Sequence, residues 1–213
     1  MRSTLAVALS LALAACSGSE HVLDMDTLVQ SLDLDPPVDL DVDCPTPPPE
    51  AHRVLFAGVF ANSPPILPGA PDFPSDFCPS NAGFFARAEG RGNSSLFGEF
   101  IWSERYCTVP PGQLLAEGYF EGVGGDRLTW NARIRFDSIP PPVPFATFSG
   151  EFRFTGGSGA YEGASGEAVV AAKQLGDAAP GRPAGSTVAA VCGWISTASV
   201  ASQVINEVLD GRG

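Results

Sequence analysis

The chain has 213 residues, of which 44% are hydrophobic and only 17% are charged, and it contains 24 glycines and 20 prolines. This length accommodates one domain with a substantial core, and the many turn-forming residues favour short strands over exposed helices, so we predict an all-β protein. The formal net charge is −12, and the few basic residues form no cluster that could neutralise phosphates, which argues against nucleic-acid binding.

A short apolar stretch near the start of the chain ends at Leu13-Ala14-Ala15-Cys16. Its core, residues 5–14, is too short to span a bilayer as a helix, which is typical of a signal peptide. Together these residues resemble the cleavage motif of bacterial lipoproteins. The resemblance implies that residues 1–15 are removed, that Cys16 carries the lipid, and that the protein is anchored in the cell envelope. Ser17 is not the aspartate that retains such lipoproteins in the inner membrane, so in a cell with two membranes the resemblance implies the outer one.

Residues 16–50 are predicted to form an acidic, proline-rich linker. The segment contains nine acidic residues and neither lysine nor arginine, so it carries most of the negative charge. Its centre, residues 31–43, alternates apolar and acidic side chains as a strand would. However, Pro36 and Pro37 lack backbone donors and the aspartates repel one another, which favours a disordered, extended tether. Apolar residues at helical spacing between positions 22 and 32 are compatible with one short helix.

The following domain, residues 51–198, consists of short apolar runs separated by glycine and proline clusters. Strict alternation of apolar and polar side chains is clearest in residues 127–137. We predict eight strands, at residues 52–60, 83–89, 96–107, 113–121, 127–137, 145–155, 162–173 and 187–197. An even number of consecutive antiparallel strands can close on itself and remove exposed sheet edges, so we predict a single antiparallel eight-stranded β-barrel. The tail, residues 199–213, is compatible with a short helix.

Four cysteines remain besides Cys16: Cys44, Cys78, Cys107 and Cys192. An even number of cysteines in an exported chain indicates two disulfides, for which three pairings exist. The predicted strand directions place Cys78 and Cys107 at one rim of the barrel, so we favour this pair and, by the same counting, Cys44 with Cys192. A metal site is disfavoured because no two cysteines have the close spacing of zinc ligands and the two histidines are far apart. We identify no cofactor motif.

A glycine-rich segment, residues 154–166, joins the sixth and seventh predicted strands. Positive-φ turn positions are expected at the first three of its glycines and a bend or bulge at the last two: Gly156, Gly157, Gly159, Gly163 and Gly166. A phosphate-binding loop is disfavoured because a strand, and not a helix, follows. With the glycine-rich residues 90–98, Gly125-Asp126 and residues 192–196, this segment resembles the barrels of allene oxide cyclases, dirigent-like proteins and exported bacterial proteins with the same pattern. The resemblance covers about residues 53–198 and implies the fold, but no catalytic residue of those proteins can be matched to this chain.

Charged side chains on the predicted central strands are candidates for an acid–base pair inside the barrel. They are Glu99, Glu104, Glu117, Glu151, Arg105, Arg133, Arg135 and Arg153. In the fifth and sixth predicted strands the charged positions alternate with Phe, Trp and Ile, so ion pairs on the outer surface are the favoured interpretation.

The width of an eight-stranded barrel suits either packed side chains or one small ligand. Candidate lumen residues are Trp102, Trp130, Phe148 and Phe152, and we favour a filled core. We therefore expect a lipid-anchored binding or structural module rather than an enzyme. The alternatives are a small-molecule cyclase or isomerase that encloses an apolar substrate, and a protein-partner or inhibitor module with an exposed apolar patch near residues 63–79. Candidate partners are the membrane, a small apolar ligand, an envelope protein and a second copy of this chain.

Overall fold

The computed structural model describes residues 24–32, 34, 40–138, 146–176 and 185–197. The predicted signal peptide, Cys16 and the predicted C-terminal helix lie outside these residues. Within the described part of the chain, no helix is both long and apolar enough to cross a membrane.

Eight antiparallel strands close into one barrel, in which each strand pairs with its neighbours in the chain and β1 pairs with β8. The strands are β1 His52–Asn62, β2 Phe84–Ser94, β3 Gly98–Val109, β4 Gln113–Gly122, β5 Arg127–Ser138, β6 Thr147–Ser158, β7 Ser165–Gln174 and β8 Thr187–Ser196. The predicted antiparallel eight-stranded barrel is confirmed, and each predicted strand overlaps an observed one. Because side chains alternate along a strand, every second residue points into the lumen.

Strand β2 is longer than predicted and runs through Gly90 and Gly92. A Cβ atom on Gly90 would lie 2.1 Å from the carbonyl oxygen of Val59, and one on Gly92 would lie 2.1 Å from that of Ala57. These glycines therefore allow β1 and β2 to approach closely inside the sheet and do not form a turn.

The glycine-rich segment forms the connection between β6 and β7. Gly156, Gly159 and Gly163 have positive φ angles. The positive φ predicted for Gly157 is wrong; glycine there allows a close approach of the backbone, because a Cβ atom would lie 2.1 Å from the carbonyl oxygen of Arg127. Tyr161 in this connection packs against Phe97, with ring centroids 4.9 Å apart. We call this end of the barrel the hairpin rim, and the opposite end, where β1, β3, β5 and β7 end, the mouth rim.

The described part of the acidic N-terminal segment packs on the outside of the barrel. Helix α1, Met25–Gln30, begins at Asp24, whose carboxylate accepts a hydrogen bond of 2.8 Å from the backbone N–H of Thr27. The buried residues of this contact come from α1, β1 and β8: Leu28, Val29, Leu55, Ala57, Ala190 and Cys192. Residues 24–32 and 40–44 are thus held against the barrel more closely than the predicted extended tether would be, because burying their apolar side chains offsets part of the chain entropy.

Both favoured disulfides are found, Cys44–Cys192 and Cys78–Cys107. The first joins the N-terminal segment to β8. The second ties the long β1–β2 loop to the outer face of β3, where Ile66, Phe73 and Phe77 pack around it. Among the large apolar side chains of this loop, Leu67 is the one that is exposed, so the loop covers the sheet with most of its apolar surface.

Candidate functional site

The half of the lumen next to the hairpin rim is filled by aromatic side chains. Phe56 stacks on Phe120 with ring centroids 4.3 Å apart, and Phe120 contacts Trp102 edge to face at 4.9 Å. Phe56 and Phe120 are fully buried. Side-chain packing of this kind leaves little space for a ligand, and the prediction of a filled core is met in this half of the barrel.

The half of the lumen next to the mouth rim contains a cavity of about 210 Å³, which we call the mouth cavity. Six of its lining residues carry phenyl or indole rings: Phe60, Phe84, Trp102, Phe136, Phe148 and Phe152. The polar lining residues are Asn62, Glu104, Tyr106, Gln174 and Thr187. The β5–β6 and β7–β8 connections at this rim lie partly outside the described residues. An apolar cavity with a few convergent polar groups is the usual form of a small-molecule site.

Among the described lining residues, Glu104 is the one acidic or basic side chain. It points inward from β3 and is only 8% exposed. Its Oε2 accepts a hydrogen bond of 3.0 Å from the indole Nε1–H of Trp102. The ion pairs among the described residues do not include Glu104. Burial raises the pKa of Glu104 to about 7, although the indole N–H, which favours the ionised form, opposes this change.

Tyr106 and Asn62 lie above Glu104 toward the mouth rim. The hydroxyl of Tyr106 donates a hydrogen bond of 3.2 Å to Oδ1 of Asn62. Burial and the nearby Glu104 carboxylate both raise the pKa of Tyr106, so its hydroxyl stays protonated at physiological pH. Glu104 therefore gives the cavity a group that can take up or release a proton near neutral pH. Tyr106 gives it a neutral hydroxyl group that can donate a hydrogen bond.

Three of the four aromatic residues proposed for the lumen line the cavity: Trp102, Phe148 and Phe152. Trp130 also points inward, but it packs beneath the cavity, with its ring centroid 4.4 Å from that of Phe152. Among the described residues, its indole Nε1–H has no hydrogen-bond partner.

The charged candidates separate by the face of the sheet on which they lie. Glu104 alone among them lines the mouth cavity, and the favoured surface interpretation does not apply to it. Arg105 and Glu117 pair on the outer face with an Nε–Oε1 distance of 2.7 Å. The remaining candidates are exposed: Glu99, Glu151, Arg133, Arg135 and Arg153. The signal for Glu104 was present in the sequence, because it follows Trp102 at the two-residue spacing that keeps side chains on one face of a strand.

The described residues offer little material for metal or nucleophilic chemistry. No group of three or more His, Cys, Asp or Glu side chains among them could hold a metal ion. His52 is exposed at the start of β1, and the four cysteines in the described ranges are all bonded in disulfides.

The chain matches no protein-family model, no curated protein and no solved structure.

Proposed function

We propose that this protein is a lipid-anchored envelope lipoprotein whose β-barrel binds a small, mainly apolar molecule in the mouth cavity. The observation that carries the proposal is the aromatic lining of a 210 Å³ space into which Glu104 and Tyr106 project. A preformed concave site of this kind binds a ligand without ordering the protein first, which favours affinity.

The volume of the cavity limits the size of the ligand. It lies below the roughly 300 Å³ at which pockets for drug-sized ligands begin. It exceeds the roughly 150 Å³ of an apolar cavity that binds benzene. The expected ligand is therefore one ring, or an aliphatic group of similar size, with a short polar substituent.

The anchoring part of the proposal is supported by Leu13-Ala14-Ala15-Cys16 and by the disulfides. Disulfides persist in oxidising compartments outside the cytoplasm, where lipoproteins reside. We expect the full-length chain to incorporate labelled fatty acid in bacteria and to fractionate with membranes. The full-length Cys16→Ser variant should lose both properties. Equal labelling of the unmodified chain and of Cys16→Ser would contradict the lipid anchor and would not affect the proposal of binding in the cavity.

Binding is tested with benzyl alcohol, a neutral molecule that matches the size of the cavity. The full-length chain in lipid nanodiscs is titrated while the indole N–H signals of its tryptophans are followed by NMR, with empty nanodiscs as the blank. We expect the Trp102 signal to shift and to saturate near millimolar concentration, the affinity expected for a ligand with so few non-hydrogen atoms. No shift of the Trp102 signal up to the solubility limit would refute binding in the cavity.

Glu104 also favours a second candidate, an isomerase that moves a proton within a carbonyl compound. A carboxyl group with a pKa of about 7 in a buried site can accept and return a proton near neutral pH. The neutral hydroxyl of Tyr106, which donates to Asn62 in the free protein, would turn to donate its hydrogen bond to the carbonyl oxygen. This candidate predicts that a bound ketone exchanges its α-hydrogens with deuterated solvent and that Glu104→Gln abolishes the exchange. A rate equal to that of buffer alone would exclude it.

A further inference from the structure

We propose that the mouth cavity selects a small organic amine, which it binds as an ammonium cation with the Glu104 carboxylate as counter-ion. This inference rests on the proposed function, because it requires that the cavity accepts a ligand. It adds the chemical class of that ligand.

Among the described residues, no basic side chain pairs with the buried Glu104. Burying an ionised carboxylate is costly unless it is paired and hydrogen-bonded. Among the described residues, Glu104 receives one hydrogen bond, from Trp102, and forms no ion pair. Since a carboxylate offers about four acceptor positions, most of its capacity is left for a ligand. An ammonium group supplies both the charge and the donors.

The basic side chains nearest in the sheet cannot take this place. Arg105 is the neighbour of Glu104 in β3, but it lies on the outer face and pairs with Glu117. Arg87 on β2 also lies outside and is exposed. Among the described residues, no basic side chain reaches Glu104 from the cavity side, and a cationic ligand can supply that charge.

The aromatic lining of the cavity also favours a cation. The faces of phenyl and indole rings carry partial negative charge and attract cations, most strongly where water is excluded. Trp102 lies beside Glu104, and its ring centroid is 5.0 Å from that of Phe60. An anionic head group would be repelled by the carboxylate, and a neutral one would gain a hydrogen bond without the charge attraction. The lining and the acid therefore favour the same class of ligand.

The surroundings of Glu104 also determine how binding depends on pH. Among the described lining residues, Tyr106 is the other titratable side chain, and the residues contributed by β1, β2, β4, β5, β6, β7 and β8 are not ionisable. Behind the sheet, on the outer face, lie Arg87, Glu89, Arg105 and Glu117. Because burial raises the pKa of Glu104 to about 7, the free protein holds the carboxylate mainly above that pH. Amine affinity should fall as the pH falls below 7.

The experiment compares three probes that share a benzyl or phenyl ring: benzylamine, benzyl alcohol and benzoate. The full-length chain in nanodiscs is titrated with each probe at pH 8.5 and at pH 5.5, with the Trp102 indole signal as the readout. We expect benzylamine to bind at least about tenfold more tightly than benzyl alcohol at pH 8.5, as a charged hydrogen-bonded pair provides. The advantage should shrink at pH 5.5, approaching a tenfold loss per pH unit below 7. Benzyl alcohol should bind equally at both pH values.

Two variants locate the effect. Glu104→Gln keeps the shape of the side chain and removes its charge, so it should retain benzyl alcohol binding and lose the preference for benzylamine. Glu99→Gln removes an exposed acid from the same strand, at the outer face, and should retain the preference. If Glu104→Gln does not fold, the pH dependence of the unmodified chain still decides the proposal.

Each outcome separates the two proposals. If benzyl alcohol shifts the Trp102 signal and benzylamine is no tighter at pH 8.5, the amine inference is wrong while the cavity remains a site for apolar molecules. Three other results would also overturn the amine inference. Benzoate could bind most tightly of the three probes, the preference for benzylamine could survive in Glu104→Gln, or that preference could disappear in Glu99→Gln. If no probe binds, the proposed function itself fails.

Discussion

The two halves of the lumen are lined by the same eight strands, yet one is filled and the other holds a cavity. Toward the hairpin rim, fully buried rings such as Phe56 and Phe120 stack on one another. Toward the mouth rim, Ala172 of β7 is paired with Ala189 of β8, and both line the cavity. Two adjacent alanines leave a gap in a barrel of this width. The strands set the diameter of the barrel, whereas the volumes of a few inward residues decide how much of the lumen is filled.

The largest expected effect distinguishes the packing of the two halves. Phe120→Ala should lower the free energy of unfolding by about 3–5 kcal/mol, because it opens a void among rings that cannot collapse into it. Phe136→Ala, its counterpart at the mouth rim, should cost about 1–2 kcal/mol, because Phe136 is only half-buried and already borders a cavity. Chemical denaturation of both variants measures the difference. Equal losses would mean that the two halves are packed alike.

The next effect concerns the acid at the floor of the cavity. The pKa of Glu104 is about 7 in the folded protein against 4.5 for a free side chain, so the folded state binds more protons between these values. Stability should therefore fall as the pH rises from about 4.5 to 7, by about 3 kcal/mol at roughly 1.4 kcal/mol per pKa unit. Glu104→Gln should lack this decline and be the more stable chain at pH 8.

Denaturation curves of the unmodified chain and of Glu104→Gln from pH 4 to pH 8 test this sign. Glu99→Gln is the matched control, because Glu99 is exposed on the same strand and should keep the decline. If the unmodified chain and Glu104→Gln show parallel profiles, Glu104 does not sit in an environment that disfavours its charge.

A pair of equal substitutions on β7 compares the free space directly. Ala168 is 2% exposed, and its Cβ would lie 2.4 Å from a Cβ on Gly193. Ala168→Leu should therefore overpack the barrel and cost about 1–3 kcal/mol. Ala172→Leu should change stability by less than about 1 kcal/mol, because its side chain enters the cavity. It should also abolish the Trp102 shift produced by benzyl alcohol. Retained binding in Ala172→Leu would place the ligand elsewhere.

The barrel was predictable from the sequence because strand alternation and glycine and proline clusters are local signals. Residues 127–137 show this best, since β5 occupies Arg127–Ser138. The disulfides followed from the directions of the strands, which a closed meander fixes. The docking of α1 was less accessible, because Leu28 and Val29 bury themselves against β1 and β8, far away in the chain.

The cavity itself could not be derived in this way. Its space depends on the register that places Ala172 beside Ala189, and on the sum of all inward volumes at that level. Glu104 was accessible in principle from its spacing to Trp102. The general tendency of carboxylates to lie on the surface outweighed that local signal. A buried acid lowers the stability of a fold and is more typical of a functional site.

The smallest expected effect contrasts the inner acid with an outer one on the neighbouring strand. Glu117 lies on β4 and pairs with Arg105 on β3, and both side chains are 43% exposed. Because water and salt screen such a pair, Glu117→Gln should change the free energy of unfolding by less than about 1 kcal/mol. Amine binding should be unchanged, since Glu117 lies behind the sheet and not in the cavity. A double-mutant cycle with Arg105→Gln in low and high salt measures the coupling. A loss as large as that caused by substituting buried groups would show that the outer face contributes more to stability than its exposure implies.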